Sequence, residues 1–333
     1  LVNQDSKRFF VDQRRPHPGD IFMLLSQLLA GFFPRKSRPT PAGKRRRHRG
    51  TTPPSFTYRR LDFELLEDRL SPAVTATQVG LLLTVNLGAT GDTATITGTA
   101  NTGTAISVLG TGLTSTAFTG VGSITVTSTA ATTGQAVTFQ ATPPNVILPA
   151  TGALSVTGTG VATITVNGLI NGTINGNGTA AGTATTVNVQ SGNNARIQAG
   201  IFLAAAGATV NVANGTYTES NIIVPRNMTI NGASQAGVIV VPAIADSHDN
   251  SSFGGASVSN GFVVQANNVT IQNLTLNGNG NGSLAGTQNF RDGVVTNFNA
   301  AGQPFNGLIV QNITVLNAFF SGIEVATERV GGN

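Results

Sequence analysis

Three observations predict an all-β protein. The first is composition: over 333 residues the apolar fraction is 40%, aromatics are 6%, Trp is absent, and 41 glycines punctuate a background rich in Thr and Asn. Val, Ile and Thr favour strands, Gly and Asn favour turns, and the helix-forming Glu, Lys and Gln are scarce. The second is pattern. Between Val74 and Val189 the chain repeats short alternating segments such as "ATITGTA", "GSITVTSTA" and "GALSVTGTGVATITVNG", each closed by Gly, Asn or Pro, which is how strands joined by tight turns read. The third is an internal repeat.

That repeat is "NNVTIQNLTLNG", Asn267 to Gly278, returning thirty-nine residues later as "NGLIVQNITVLN", Asn306 to Asn317. Overlaid, Val269 falls on Leu308, Ile271 on Val310, Asn273 on Asn312, Leu274 on Ile313 and Leu276 on Val315. Recurrence at a fixed spacing marks stacked units that cannot bury their apolar faces alone. The apolar positions are therefore expected to point inward and stack. Asn273 and Asn312 are read as structural corners, where Asn tolerates left-handed backbone and its amide reaches the Asn of a neighbouring unit. Gly261, Gly293 and Gly322, each opening an apolar strand, recur at similar spacing. The Asn-x-Thr tripeptides at Asn227 and Asn273 fit the same corner pattern better than glycan attachment.

Charge divides the chain. Residues 1–70 hold 15 of the 19 Lys and Arg and 7 of the 14 acids, a balance of +8, whereas 71–333 hold 4 and 7, a balance of −3. Basicity belongs to the leader. Its run "GKRRRHRG", Gly43 to Gly50, has no interleaved aromatics, so no nucleic-acid partner is expected. The apolar run "IFMLLSQLLAGFF", Ile21 to Phe33, is too short for a transmembrane span and near the size of a signal-peptide core, with Met23 a candidate true start. Residues 1–73 are expected to be a disordered basic leader. The absence of Cys removes disulfides and thiolate metal sites.

The end of the leader, Leu66-Glu67-Asp68-Arg69-Leu70-Ser71-Pro72-Ala73, resembles an element at the front of large cell-surface proteins of planctomycete-type bacteria. The resemblance implies an extracellular or cell-surface location. Residues 74–190 follow as a Thr/Gly/Val-rich β-strand repeat region, a stack or sandwich.

At Asn193 the pattern changes. Ala195 to Ala206 is a helical stretch, with Ile197, Ile201 and Ala205 on one face and Gly207 as its stop. Val210, Val212, Gly215, Tyr217 and Glu219 then spell V-x-V-x-x-G-x-Y-x-E, with a turn at Gly215-Thr216-Tyr217. This order resembles the entry of right-handed parallel β-helix proteins of the pectin-lyase-like superfamily, in which a short helix caps the first coil. The resemblance implies a right-handed parallel β-helix over 191–333. An apolar edge at the end of such a stack leads us to expect a longer chain beyond Asn333.

Chemistry is sparse. "IADSHDNSS", Ile244 to Ser252, gathers Asp246, His248 and Asp249, and "FRDG" adds Arg291 and Asp292. β-Helix lyases hold Ca2+ on carboxylates beside a basic residue, and the epimerase branch uses an Asp-x-His-Asp element that "DSHD" partly resembles, with Ser247 where Pro is usual. The resemblance makes His248 and Arg291 the catalytic candidates, Asp246, Asp249 and Asp292 the sugar-contacting candidates, and Asp246 with Asp249 the candidate Ca2+ ligands. The expected function is a secreted or cell-surface structural and carbohydrate-binding protein whose partners are polysaccharide or cell-envelope components. The alternative is a uronate lyase or epimerase-like enzyme.

The leader reading carries a test. Limited trypsin treatment should remove residues 1–60 rapidly and leave the body from about residue 75 intact, since the body offers few cleavage sites. A persistent leader fragment would contradict it.

Overall fold

The computed structural model describes residues 74–128, 134–158, 160–174, 184–243, 259–278, 289–296 and 304–325. The predicted leader and the segment holding Asp246, His248 and Asp249 lie outside them. All described residues belong to one compact unit, Leu66–Asn333, and apart from one short helix every regular element in them is a strand. No helix among them is long and apolar enough to cross a membrane.

The N-terminal part begins antiparallel. β1 (Val74–Val79) and β2 (Leu82–Leu87) form a hairpin, and β3 (Thr93–Gly98), β4 (Ala105–Gly110) and β5 (Leu113–Thr119) form a meander. From there pairing is parallel. β6 (Ser123–Ser128), β8 (Ala153–Thr157) and β10 (Thr173–Ile174) extend the sheet of β2, while β7 (Gln135–Ala141), β9 (Val161–Asn167) and β11 (Thr186–Val189) extend the sheet of β3. Parallel neighbours require a crossover. Here each crossover is itself a strand of the opposite sheet, so the chain alternates between two faces and buries the space between them.

After β11 come α1 (Ile197–Leu203), β12 (Thr209–Val212), β13 (Gly215–Thr218), β14 (Ile222–Val224), β15 (Met228–Gly232), β16 (Val238–Val241), β17 (Phe262–Val264), β18 (Val269–Asn277), β19 (Asp292–Thr296), β20 (Ile309–Leu316) and β21 (Ser321–Glu324). They run in parallel tracks. β12, β15, β18 and β20 continue the sheet of β11, while β14, β17, β19 and β21 form a separate four-stranded sheet. β11 pairs directly with β12, so one sheet passes through residue 190 without a break. The four-stranded sheet shares no ladder with the other two, so the described strands form three separate, mainly parallel sheets, and no closed solenoid is seen among the described residues.

The internal repeat is a physical stack. Ile271 pairs with Val310, Leu274 with Ile313 and Leu276 with Val315, and Val269, Ile271, Leu274 and Leu276 are fully buried. Asn273 and Asn312 have φ of 61° and 50°. They turn the chain between two faces: Val269 to Gln272 pair with β15, and Thr275 and Leu276 pair with β16. Asn227 does not adopt that backbone, so its tripeptide is not a corner of this kind. Gly261 and Gly293 stack because a Cβ on the first would overlap the carbonyl of the second, and a Cβ on Gly293 would lie 2.6 Å from the Gly322 oxygen.

Two expectations change. The helix spans Ile197–Leu203 rather than 195–206. It ends before Gly207 because the Ala205 N–H leaves the helix to donate to the Ala184 carbonyl at 3.0 Å, a long-range contact that outcompetes local propensity. Gly215 to Thr218 is also a strand, paired with β16, where the sequence suggested a turn. Close packing explains Gly200: a Cβ there would collide with Val189 on β11.

The inward and outward assignments predict opposite outcomes for adjacent residues. Ile271→Asp should place an unpaired charge in the stack and cost roughly 4 kcal/mol or more, whereas Thr270→Asp should cost about 1 kcal/mol or less. Denaturant melts of the full chain decide it, and equal losses would refute the assignment.

Candidate functional site

A regular surface follows from strand alternation. When one column of side chains in a parallel sheet is buried, the columns either side face outward. The buried column is Ala94, Val137, Ile164, Val187, Val210, Ile230 and Ile271, ending at the partly buried Val310. Beside it runs Thr93, Ala136, Thr163, Thr186, Thr209, Thr229, Thr270 and Ile309, and on its other side Thr95, Thr138, Thr165, Asn188, Asn211, Asn231, Gln272 and Gln311. The face is a grid of hydroxyls and amides, interrupted at Ala136 and Ile309, without a charge or an aromatic ring. Its rows are spaced by about 4.8 Å and its columns by about 6.6 Å, the sheet and strand repeats.

The amides are joined into a chain. Asn211 Nδ2 donates to Asn188 Oδ1 at 3.2 Å, Asn231 Nδ2 to Asn211 Oδ1 at 3.3 Å, and Gln272 Nε2 and Asn273 Nδ2 to Asn231 Oδ1 at 3.0 and 2.8 Å. Asn312 Nδ2 donates to Asn273 Oδ1 at 2.7 Å, and Gln311 Nε2 donates to Gln272 Oε1. These bonds hold the grid flat and fix its side chains before any ligand arrives, which lowers the ordering cost of binding. A groove of about 250 Å3 lined by Asn188, Gln190, Asn211, Ala213, Asn231 and Ala233 runs along it.

A second site surrounds α1. The N-cap residue, Arg196, makes no side-chain cap. The first-turn N–H groups are instead met by Glu219, whose Oε1 accepts from Ile197 at 2.5 Å and whose Oε2 accepts from Gln198 at 3.0 Å. At the other end Arg226 Nη1 donates to the Ile201 carbonyl at 3.1 Å and to that of Ala204. The carboxylate sits at the positive end of the helix and the guanidinium at the negative end, both favourable positions. Burial nevertheless pushes the Glu219 carboxyl up to about 7, against the pull of the two helix N–H groups and of Arg196. Burial, and then the Glu219 charge, raise the Tyr217 hydroxyl, which donates to the Ala213 carbonyl at 2.8 Å. A cleft of about 570 Å3 opens here, lined in part by Ser191, Asn194, Arg196, Thr216, Tyr217 and Glu219.

The third cluster contains two residues singled out from the sequence. Arg291 Nε lies 3.7 Å from Asp292 Oδ2, and its guanidinium stacks 4.8 Å from the centre of the Phe320 ring. Burial pushes the Asp292 carboxyl up to about 7, with the Glu324 carboxylate adding to the rise and Arg291 opposing it. Asp292 is fully buried, and both its oxygens, Glu324 Oε2 and Arg291 Nη1 lack hydrogen-bond partners. Arg291 puts a positive charge beside the carboxylate that a Ca2+ would need. Asp292 and Glu324 therefore do not by themselves make a cation site, and no group of three or more His, Cys, Asp and Glu side chains able to hold a metal exists among the described residues.

The structure thus brings Arg291 and Asp292 together, while His248, Asp246 and Asp249 lie outside the described residues. Sequence reasoning did not foresee the roles of Glu219 and Arg226 as helix caps or of Glu324 as the neighbour of Asp292. A signal was present: the charged residues described are Asp92, Arg196, Glu219, Arg226, Arg291, Asp292 and Glu324, and in so charge-poor a chain each retained charge invites a structural reason.

Glu219 predicts a pH dependence. Its carboxyl is raised in the folded state, so the native protein binds the proton more tightly than the unfolded chain. The associated stability is complete below about pH 4.5 and lost as pH rises to about 7. The loss should reach about 3 kcal/mol, and Glu219→Gln should remove that share while leaving the comparable loss due to Asp292, whose carboxyl is raised over a similar range. Denaturant melts across that range test it; identical profiles for the variant and the parent would refute the assignment.

No family model matches the chain, and neither a curated protein nor a solved structure matches it.

Proposed function

We propose that the chain is a secreted or cell-surface structural protein whose strands wind as a right-handed parallel β-helix, and that its flat Thr and amide face binds polysaccharide. The observation that carries this reading is the grid itself: eight strands present hydroxyls and amides in register. A long periodic polymer rich in hydroxyls is the natural partner for a long periodic row of neutral donors and acceptors, because each repeat of one meets an equivalent group of the other. With no charge on the face, a neutral polysaccharide fits better than a polyuronate. The cell-envelope location rests on the leader and its LEDRLSPA element, and the winding on the three parallel tracks after α1 together with the corners at Asn273 and Asn312.

The chemistry of the described charges supports a scaffold. Glu219 and Arg226 cap a helix, and Asp92 accepts from the Ala89 N–H at 2.7 Å. The enzyme reading retains one supporting observation, the raised Asp292 carboxyl beside Arg291, since perturbed groups concentrate at active sites.

Co-sedimentation with insoluble neutral polysaccharides should retain the protein with little dependence on salt. Thr209→Lys should abolish retention while leaving the melting temperature nearly unchanged, because the lysine stands on the outer face and blocks flat contact. Retention unaffected by Thr209→Lys would refute the face. Incubation with pectate or alginate should produce no unsaturated uronate absorbance; absorbance that disappears in Arg291→Ala would replace the scaffold reading with the lyase.

A further inference from the structure

The amide column of the flat face is fixed more firmly than an ordinary strand exterior. Every bond in it runs one way: Asn211 to Asn188, Asn231 to Asn211, Gln272 to Asn231 and Gln311 to Gln272. A primary amide carries two N–H groups and an oxygen with two lone pairs. Asn211 and Gln272 each commit one N–H to the tier before them and one lone pair to the tier after them. Each keeps one N–H and one lone pair for a ligand, in an orientation the ladder has already set.

The groove gives this row a direction. It lies between Asn188, Asn211 and Asn231 and the residues two positions further along, Gln190, Ala213 and Ala233. Because it crosses the ends of β11, β12 and β15, which pair side by side, its long axis follows the stacking of the strands. The two alanines keep it open. Along it the amides recur once per tier, about every 4.8 Å.

Contact energies decide what such a row can hold. Aromatic rings dominate interface energetics, and none stands on the eight rows. What remains is neutral hydrogen bonds exchanged against water, each of small net worth. Straightening a flexible chain to meet a fixed row offsets most of what such bonds contribute, whereas a chain already held straight in a crystal lattice carries no such cost. Many weak contacts then act together.

We propose that the face selects the crystalline form of a neutral polysaccharide over its swollen and soluble forms, with a surface chain lying in the groove along the stacking axis. The inference rests on the polysaccharide reading. It adds the physical state of the ligand, its direction on the face and the residues that select it, the amides of Asn188, Asn211, Asn231 and Gln272.

The test measures binding isotherms of the full chain on microcrystalline cellulose and crystalline chitin, and on both polymers after swelling. Affinity should be at least about tenfold higher for the crystalline form of whichever polymer is bound. Soluble oligosaccharides of that polymer should not displace the chain. Asn211→Thr places in the column the residue already present at Thr138 and Thr165, but its hydroxyl stops one bond short of the ladder. Its melting temperature should stay close to that of the parent while the ratio of crystalline to swollen affinity falls at least about threefold. Equal affinity for the two forms, or displacement by soluble oligosaccharides, would overturn the inference and leave the polysaccharide reading standing. An unchanged ratio in Asn211→Thr would overturn the assignment to the amides. Binding to neither form of either polymer would remove the polysaccharide reading and this inference with it.

Discussion

The constraint on which the rest depends is the in-register stacking of one buried column, from Ala94 through Val137, Ile164, Val187, Val210, Ile230 and Ile271 to Val310. Each strand is short and buries too little alone, so stability is shared between neighbours as in other stacked architectures. A slip of one residue anywhere would send the apolar set to the surface and the Thr and amide set inward. The flat outer face is the obligatory counterpart of that burial.

Polar accounting shapes the interruptions. α1 breaks the strand pattern and brings unpaired N–H and C=O groups with it, and the chain meets them with Glu219 and Arg226 and with Gln198. The Gln198 amide accepts from the Ile223 N–H at 2.6 Å and donates to the Ile223 carbonyl at 3.0 Å, taking the place of a neighbouring strand. The cost is a buried carboxyl whose proton affinity is raised by desolvation. Asp292 shows the same cost with fewer compensations, its oxygens lacking hydrogen-bond partners. Desolvation produces both shifts, yet only Glu219 has an evident structural return.

Much of the fold was legible in particular residues. Alternation of Val and Thr placed the strands, and the Gln-Asn pair in each repeat placed the corners, because Asn at that spacing serves both the left-handed backbone and the amide bond to the next tier. The candidate site was less legible. Asp246, His248 and Asp249 drew the eye because polar clusters suggest chemistry, whereas the grid of Thr, Asn and Gln reads along the chain as ordinary strand exterior. Its regularity exists across strands separated by some 20 to 40 residues, as the bonds from Asn231 to Asn211 and from Asn312 to Asn273 show, and a linear pattern does not display it.

The amino-acid sequence by itself determined the strand content, the inward and outward alternation and the left-handed corners, since these follow from side-chain sterics and the period of two. Only the tertiary structure decided the parallel pairing within residues 74–190, the continuity of one sheet past residue 190 and the early end of α1. Pairing partners are chosen by the sum of contacts between distant segments. The helix end shows the reason at a single atom: the Ala205 N–H finds the Ala184 carbonyl, and no local preference near Gly207 encodes that meeting.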